Sequence, residues 1–246
     1  MSSKLHIGIL AAGKGSRMES TMPKVLHKLN GKSLIDYVLQ TASELKPNST
    51  TLVVGFEKNL VKNHTKNYKV NYVSQDKQLG TGHAVLQMQN ILENQSGHLL
   101  ILSGDVPNIK SDSLMPIISH HIKNNYSATV VTAIVSDSTG YGRIVRNNSG
   151  NLLKIVEQKD CNDKQRDIKE INSGIFIFKI SELFTELKKI KSNNAQGEYY
   201  LTDVIELIRK NKPVHASIIE DSSEVLGINT IAQLDNLENR NSWNTF

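Results

Sequence analysis

The sequence predicts an α/β fold: a mainly parallel mixed sheet with helices on both faces and an added β-rich part. Three observations predict it. The early apolar runs are short and unbroken, as in Leu5–Ala12 and in His98–Leu102, and strands buried on both faces read that way. These runs alternate with stretches of helical period. After Val135 the rhythm changes, and three strand-like stretches follow in close succession.

Leu5, Ile7, Ile9, Leu10, Ala11 and Ala12 form the first strand, which ends in Gly13-Lys14-Gly15-Ser16-Arg17. Ser33 to Leu45 carries apolar residues at 34, 35, 38, 39, 42 and 45, a helical spacing with Ser33 as N-cap. Thr51–Phe56 is the next strand, Asn59–Thr65 a helix and Val70–Ser74 a short strand. Gly80–Leu92 reads as one helix with Val85, Met88, Ile91 and Leu92 on one face. His98–Leu102 is a strand, Ser111–Ile122 a helix and Ser127–Val135 a β-branched strand. Arg143–Arg146, Leu152–Val156 and Gly174–Ile180 are strands, Ser181–Lys189 and Leu201–Asn211 helices, and Val214–Ile219 the last strand. Residues 231–246 are polar, with Ile231, Leu234 and Leu237 at helical spacing, and read as a frayed terminal helix.

At 246 residues, with 38% hydrophobic and 22% charged content, the chain suits a globular protein with a sizeable core. Its net charge is +5, but the basic residues are interleaved with acids and form no stripe, so nucleic acid is not the expected partner. The single cysteine, Cys161, excludes an intramolecular disulfide and reads as incidental. No apolar run approaches a membrane span and no signal segment precedes the first strand, which together predict a cytoplasmic protein without membrane contact.

In open parallel sheets, ligands sit beyond the carboxyl ends of the strands. Three loops fall at such ends. The first runs from Gly13 to Arg17 and on to Pro23-Lys24. Its glycines turn backbone N–H groups toward an anion, Arg17 offers a planar fork of donors and Lys24 a point charge. This set suits a polyphosphate. It is not a P-loop, because no Gly-Lys-Ser/Thr closes it, and Met18 stands where the dinucleotide fingerprint needs its third glycine. The second loop, Gln75 to Thr81, offers two carboxamides, Gln75 and Gln78, that can pair with a pyrimidine edge, and Gly80 and Thr81 offer N–H groups. The third, Ser103-Gly104-Asp105-Val106-Pro107, places a carboxylate where a hard divalent cation can be held. None of the eight histidines has metal-ligand spacing or a nucleophile beside it, and His83 reads as structural. Cations, a metal carboxylate and no nucleophile suit phosphoryl-type transfer by positioning and charge stabilisation. A non-catalytic nucleotide-sugar sensor is the rival from another class.

Several motifs together resemble a known family. LAAGKGSRM, MPKVLH, QLGTGHA, GDVP, GYGRIVR, IVEQKD, EINSGIFIF, NNAQGEYYLTDVI and LGINT occur in order between about residues 5 and 230. They are similar to the uridylyltransferase half of bacterial N-acetylglucosamine-1-phosphate uridylyltransferase/glucosamine-1-phosphate acetyltransferase. The resemblance implies a Rossmann-like nucleotidyltransferase fold and transfer of UMP from UTP to N-acetylglucosamine-1-phosphate, for cell-wall precursor synthesis. It implies that Leu10, Ala11, Ala12 and Gly13 line the nucleotide pocket, that Gln75, Gly80 and Thr81 read uracil and neighbouring atoms, and that Ser103 and Gly104 contact the nucleoside. Arg17 would face the departing pyrophosphate and Lys24 the phosphates in exchange. Asp105 and Asn229 would bind Mg2+, and Gly142, Glu157 and Asn172 the sugar. In other members Ser103 is often tyrosine.

The resemblance divides the chain into a uridylyltransferase domain, 1–229, and a connecting helix, 230–246. The bifunctional family continues into a left-handed β-helix that carries acetyl transfer and builds a trimer. The sequence stops before it, so the expectation is a monomer without acetyltransferase activity.

Overall fold

The computed structural model describes residues 3–242. In chain order the elements are β1 (Leu5–Ala11), β2 (Lys28–Leu29), β3 (Lys32–Ser33), α1 (Leu34–Glu44), β4 (Ser49–Val54), α2 (Lys58–Thr65) and β5 (Asn71–Ser74). Then come α3 (Thr81–Leu86), α4 (Gln89–Leu92), β6 (His98–Ser103), α5 (Ser111–Lys123), β7 (Ala128–Ile134), β8 (Arg143–Arg146) and β9 (Leu152–Val156). The rest are α6 (Asp163–Arg166), β10 (Glu170–Lys179), α7 (Ile180–Leu187), α8 (Thr202–Arg209), β11 (Val214–Ile218) and α9 (Ile231–Ser242).

The main sheet runs β11-β7-β10-β6-β1-β4-β5, with β8 and β9 attached at β10. β5, β4, β1 and β6 pair in parallel, as do β7 and β11. β10 runs against both its neighbours in that order, β6 and β7. The expected mixed, mainly parallel sheet is therefore present. Its β-rich addition is the β8–β9 hairpin, hung from β10 through Ile171 opposite Arg143.

Residues alternate between two cores, one on each face. Ile7, Ile9, Leu100, Leu102 and Ile177 join the side chains of α1 and α5. Leu99, Ile101, Phe176 and Phe178 join those of α3, α7 and α8. Each such apolar side chain contributes on the order of 1.5–3 kcal/mol by leaving water. Both faces are covered, as unbroken apolar strands require.

Some boundaries differ from the sequence reading. Gly80–Leu92 is two short helices, because Gln87 and Met88 donate only three residues back, to Ala84 and Val85. The tightened turn sets Met88 over Gly8, where a Cβ would lie 2.7 Å from its sulfur. β10 begins at Glu170 rather than Gly174, with a bulge between Asn172 and Phe176. Gly174, at φ 79°, absorbs it. Ser33 does precede α1, but its hydroxyl donates to Leu26 O (3.3 Å) instead of capping the helix. Cys161 is buried, with its thiol against Val156 O. α9 packs Leu234 beside Leu29, Leu34 and Ile228, while Ile231 stays exposed. Residues 243–246 of the expected terminal helix lie outside the described residues.

Candidate active site

The loops after β1, β5 and β6 open at the carboxyl edge of the sheet, and hydrogen bonds draw them together. Leu10 O accepts from Gly104 N (2.9 Å) and Ala12 O from Phe56 N (3.1 Å). Gly13 is exposed, and a Cβ there would meet nothing within 4 Å. The chain then turns through Gly15, whose φ of 66° lies in the left-handed region. A Cβ on Gly15 would sit 2.6 Å from Lys24 Cβ. Glycine therefore lets the loop lie directly on the Lys24 stem. Met18 is buried and anchors the turn, while its neighbour Arg17 is exposed. Pro23 is buried too, and Val25 and Leu26 enter the core, so Lys24 projects from a fixed turn.

Lys24 Nζ forms an ion pair with Asp105 Oδ2 and donates to Asn229 Oδ1 (2.9 Å). Arg17 Nη2 donates to the same Asn229 oxygen (2.8 Å). Asp105 O accepts from Ile228 N (3.0 Å), which fastens the Gly227–Asn229 segment beside the carboxylate. Four residues predicted as catalytic or metal-binding thus converge. The chain separates Asn229 from Arg17 by 212 positions and from Lys24 by 205. Asp105 and Asn229 turn one hard oxygen each toward a single cation, the Lys24 ammonium. Such a pair fits a divalent ion completed by phosphate oxygens and water. No group of three or more His, Cys, Asp or Glu side chains could hold a metal among the described residues.

The base side is more occupied than the sequence suggests. Gln75 is buried, and its amide nitrogen donates to Gly80 O (2.9 Å) and lies 3.1 Å from His83 Nδ1. Gln78 is exposed and donates to Gln75 O (3.1 Å). Gly80 holds φ 106°, and a Cβ there would collide with Tyr199 O at 2.7 Å. Gly82 N donates to Tyr199 O (2.8 Å), Tyr199 N to Leu79 O (2.8 Å) and Leu201 N to Thr81 Oγ1 (3.1 Å). The QLGTGHA and EYYLTD stretches, 120 positions apart at Thr81 and Leu201, are therefore hydrogen-bonded to each other.

The remaining predicted residues meet on the far side of the cleft. Asn172 N donates to Gly142 O (2.8 Å). A Cβ on Gly142 would lie 3.3 Å from Glu157 Oε2 and 3.5 Å from Asn172 Cβ. Glu157 Oε1 accepts from Thr202 Oγ1 (3.0 Å). Burial raises the Glu157 pKa, Thr202 opposes that, and the charges of Asp203, Asp160 and Glu198 add to it. Ser103 Oγ comes within 3.1 Å of a Cβ built on Gly174, so the strand end carrying Asp105 also borders this half. Tyr141 stands between the halves. Burial holds its hydroxyl above the ordinary range, and the Asp105 charge adds to that.

Two contributors were missed in the sequence. Thr202 gives no sign of its bond to Glu157, since the two lie 45 positions apart. His83 was read as structural, and it does touch the proposed base reader.

Fold and site together define a nucleotide-handling enzyme class, and a family model confirms it. The chain belongs to the nucleotidyl transferase family, whose model matches residues 8–244. The bifunctional protein GlmU of Clostridium botulinum is 43% identical over 230 residues, 94% of this chain and 50% of that protein. GlmU of Streptococcus gordonii is 47% identical over 222 residues, 90% of this chain and 48% of that protein. The chain thus spans about half the length of the curated relatives it matches. A UDP-glucose pyrophosphorylase complexed with UDP-glucose shares the fold at TM-score 0.77 and 18% identity, covering 98% of this chain and 99% of that one. A putative glucose-1-phosphate thymidylyltransferase from Bacillus anthracis does so at TM-score 0.75 and 18% identity, with 96% and 94% covered. No helix among the described residues is long and apolar enough to cross a membrane.

Proposed function

We propose that the chain transfers UMP from UTP to N-acetylglucosamine-1-phosphate, releasing pyrophosphate and giving UDP-N-acetylglucosamine. The convergence of Arg17, Lys24, Asp105 and Asn229 carries this reading, because recognition alone would not need two cations and a metal-type oxygen pair at one point. The substrate pair comes from the motif resemblance described above, and the likeness to GlmU relatives at 43–47% identity supports it.

In this reading an oxygen of the sugar phosphate attacks the α-phosphorus of UTP in line. The bond from that phosphorus to the bridging oxygen breaks, and pyrophosphate carries away the electron pair. Asp105 and Asn229 would hold Mg2+, which would supply neutralisation of phosphate charge. Lys24 leaves the two oxygens it now touches and turns its ammonium to the phosphates. Arg17 faces the pyrophosphate. Leu10 to Gly13 and Gly104 line the nucleoside, and Gln75 reads uracil with Gly80 beside it. Gln78 and Thr81 support that loop through Gln75 O and Leu201 N. Gly142, Glu157 and Asn172 hold the N-acetylhexosamine. Residues 1–229 form the catalytic unit, and α9 (Ile231–Ser242) is the connecting helix after it. The reaction belongs in the cytoplasm, where UTP is available.

One assay tests this: pyrophosphate release from UTP, with and without N-acetylglucosamine-1-phosphate and Mg2+. Release is expected only with all three present. Release that needs a different sugar phosphate moves the reading to a sister enzyme. UDP-sugar binding without release would mean a sensor.

A further inference from the structure

Gln75 is held in one orientation. Its amide nitrogen is 2.9 Å from Gly80 O and 3.1 Å from His83 Nδ1, so both of its hydrogens have acceptors. An amide nitrogen can only donate. Gln87 Nε2 also stands 3.2 Å from His83 Nε2 and donates to His83 O (3.0 Å), and a neutral imidazole cannot accept at both ring nitrogens. Gln75 is buried and its second amide hydrogen has only His83 Nδ1 as acceptor among the described residues, whereas Gln87 is half-buried and already bonded to His83 O. The accepting nitrogen is therefore Nδ1, with the proton on Nε2. The ring is clamped between two carboxamides on the first turns of α3.

The consequence falls on Gln75 Oε1. It accepts no hydrogen bond among the described residues, and it is not among the buried side-chain atoms left without a partner. The residue is nevertheless only 4% exposed. Its oxygen is therefore the polar end left open. A carboxamide free to rotate offers a donor or an acceptor equally well. One fixed by Gly80 O and His83 Nδ1 offers an acceptor first. Uracil carries a donor at N3, whereas cytosine carries an acceptor there. An acceptor facing the pocket pairs with the first and repels the second.

We infer that His83 is a positioning residue for base selection: it fixes the Gln75 carboxamide with its oxygen toward the nucleotide, so that the pocket accepts pyrimidines with an N3–H and rejects cytosine. This rests on Gln75 as the uridine reader.

The test compares kcat/KM for UTP and CTP in the full chain. His83→Leu removes the acceptor, and the UTP preference is expected to fall at least tenfold. His83→Asn returns an oxygen near the position of Nδ1, and the preference is expected to stay within about threefold of wild type. A preference unchanged in His83→Leu overturns the inference. So does an equal loss in His83→Asn. Should His83→Leu fail to fold, the imidazole tautomer in the wild-type protein decides by 15N NMR. A proton on Nε2 supports the inference, and one on Nδ1 overturns it. Gln75→Ala separates this from the reading beneath it. Loss of base preference in Gln75→Ala with none in His83→Leu sinks only the role of His83. No loss in either sinks the uridine reading as well.

Discussion

The two halves of the cleft are built from opposite materials. The phosphate half is made of side chains that reach across the fold: Arg17 and Lys24 both donate to Asn229, and Lys24 pairs with Asp105. The sugar half is made of backbone and a carboxylate: Gly142 O takes the Asn172 amide, and Glu157 rests on Thr202. One half holds its charges in compensated pairs beside solvent. The other crowds acids together, Glu157 beside Asp203, Asp160 and Glu198. In the proposed transfer charge would build and move in the first half, which carries cations that can change partners. In the proposed reaction the second would recognise neutral sugar hydroxyls, for which a fixed acceptor serves better than a mobile cation.

The sharpest way to break this comparison is to remove one charge from the phosphate half. Asp105→Ala and Arg17→Ala are each expected to lower kcat by two to three decades, or ~3–4 kcal/mol, the usual cost of losing a donor or metal oxygen aimed at developing charge. The fold should survive, because both side chains lie at the cleft and neither belongs to a core. Near-wild-type rates in either variant, with an unchanged thermal melt, would end its catalytic assignment.

Substitution in the sugar half should act differently. Glu157→Gln keeps the shape and the Thr202 contact but weakens an acceptor. The expected result is a KM for the sugar phosphate raised about tenfold, roughly 1.4 kcal/mol, with kcat and the KM for UTP moved much less. A fall in kcat with KM unchanged would make Glu157 part of the chemistry and erase the distinction between the halves.

These two halves also differ in how far the sequence reveals them. The phosphate half was legible because its residues sit just past apolar strands, where a parallel sheet exposes its loops. Gly13, Arg17, Lys24 and Asp105 follow that rule. Asn229 does not. It arrives from a segment near the carboxyl end, and only the resemblance to a family singled it out. The sugar half is harder, because β10 runs antiparallel between two parallel neighbours and brings Asn172 beside Gly142. No local period reports that insertion, and the bulge between Asn172 and Phe176 hides the first residues of the strand. One feature was readable and went unread: Asn30-Gly31, both at positive φ, join β2 and β3 in the pattern that Asn-Gly signals for a hairpin.

The smallest expected effect tests the acid crowding itself. Asp203 lies in the first turn of α8, and burial, with Glu206 and Asp160 nearby, pushes its pKa up to about 6 from an ordinary 3.8. Above pH 6 the carboxylate is ionised in both states, and the folded state bears the cost of holding it. As pH falls from 6 to 3.8 the folded protein takes up the proton first, so that cost shrinks. Below 3.8 both states are protonated and the cost is gone. Asp203→Asn should therefore stabilise the protein at pH 7 and make no difference near pH 4. The gain is about 1 kcal/mol, less than the shift alone suggests, because Asp203 is partly exposed and the helix N-terminus favours its charge. In a chain of this size that is a rise of roughly 2–4 °C in Tm. The same substitution removes one of the like charges that raise Glu157. The acid limb of kcat/KM for the sugar phosphate against pH should shift downward with it. A gain of equal size at pH 4 and pH 7 would mean that packing, not charge, distinguishes the sugar half.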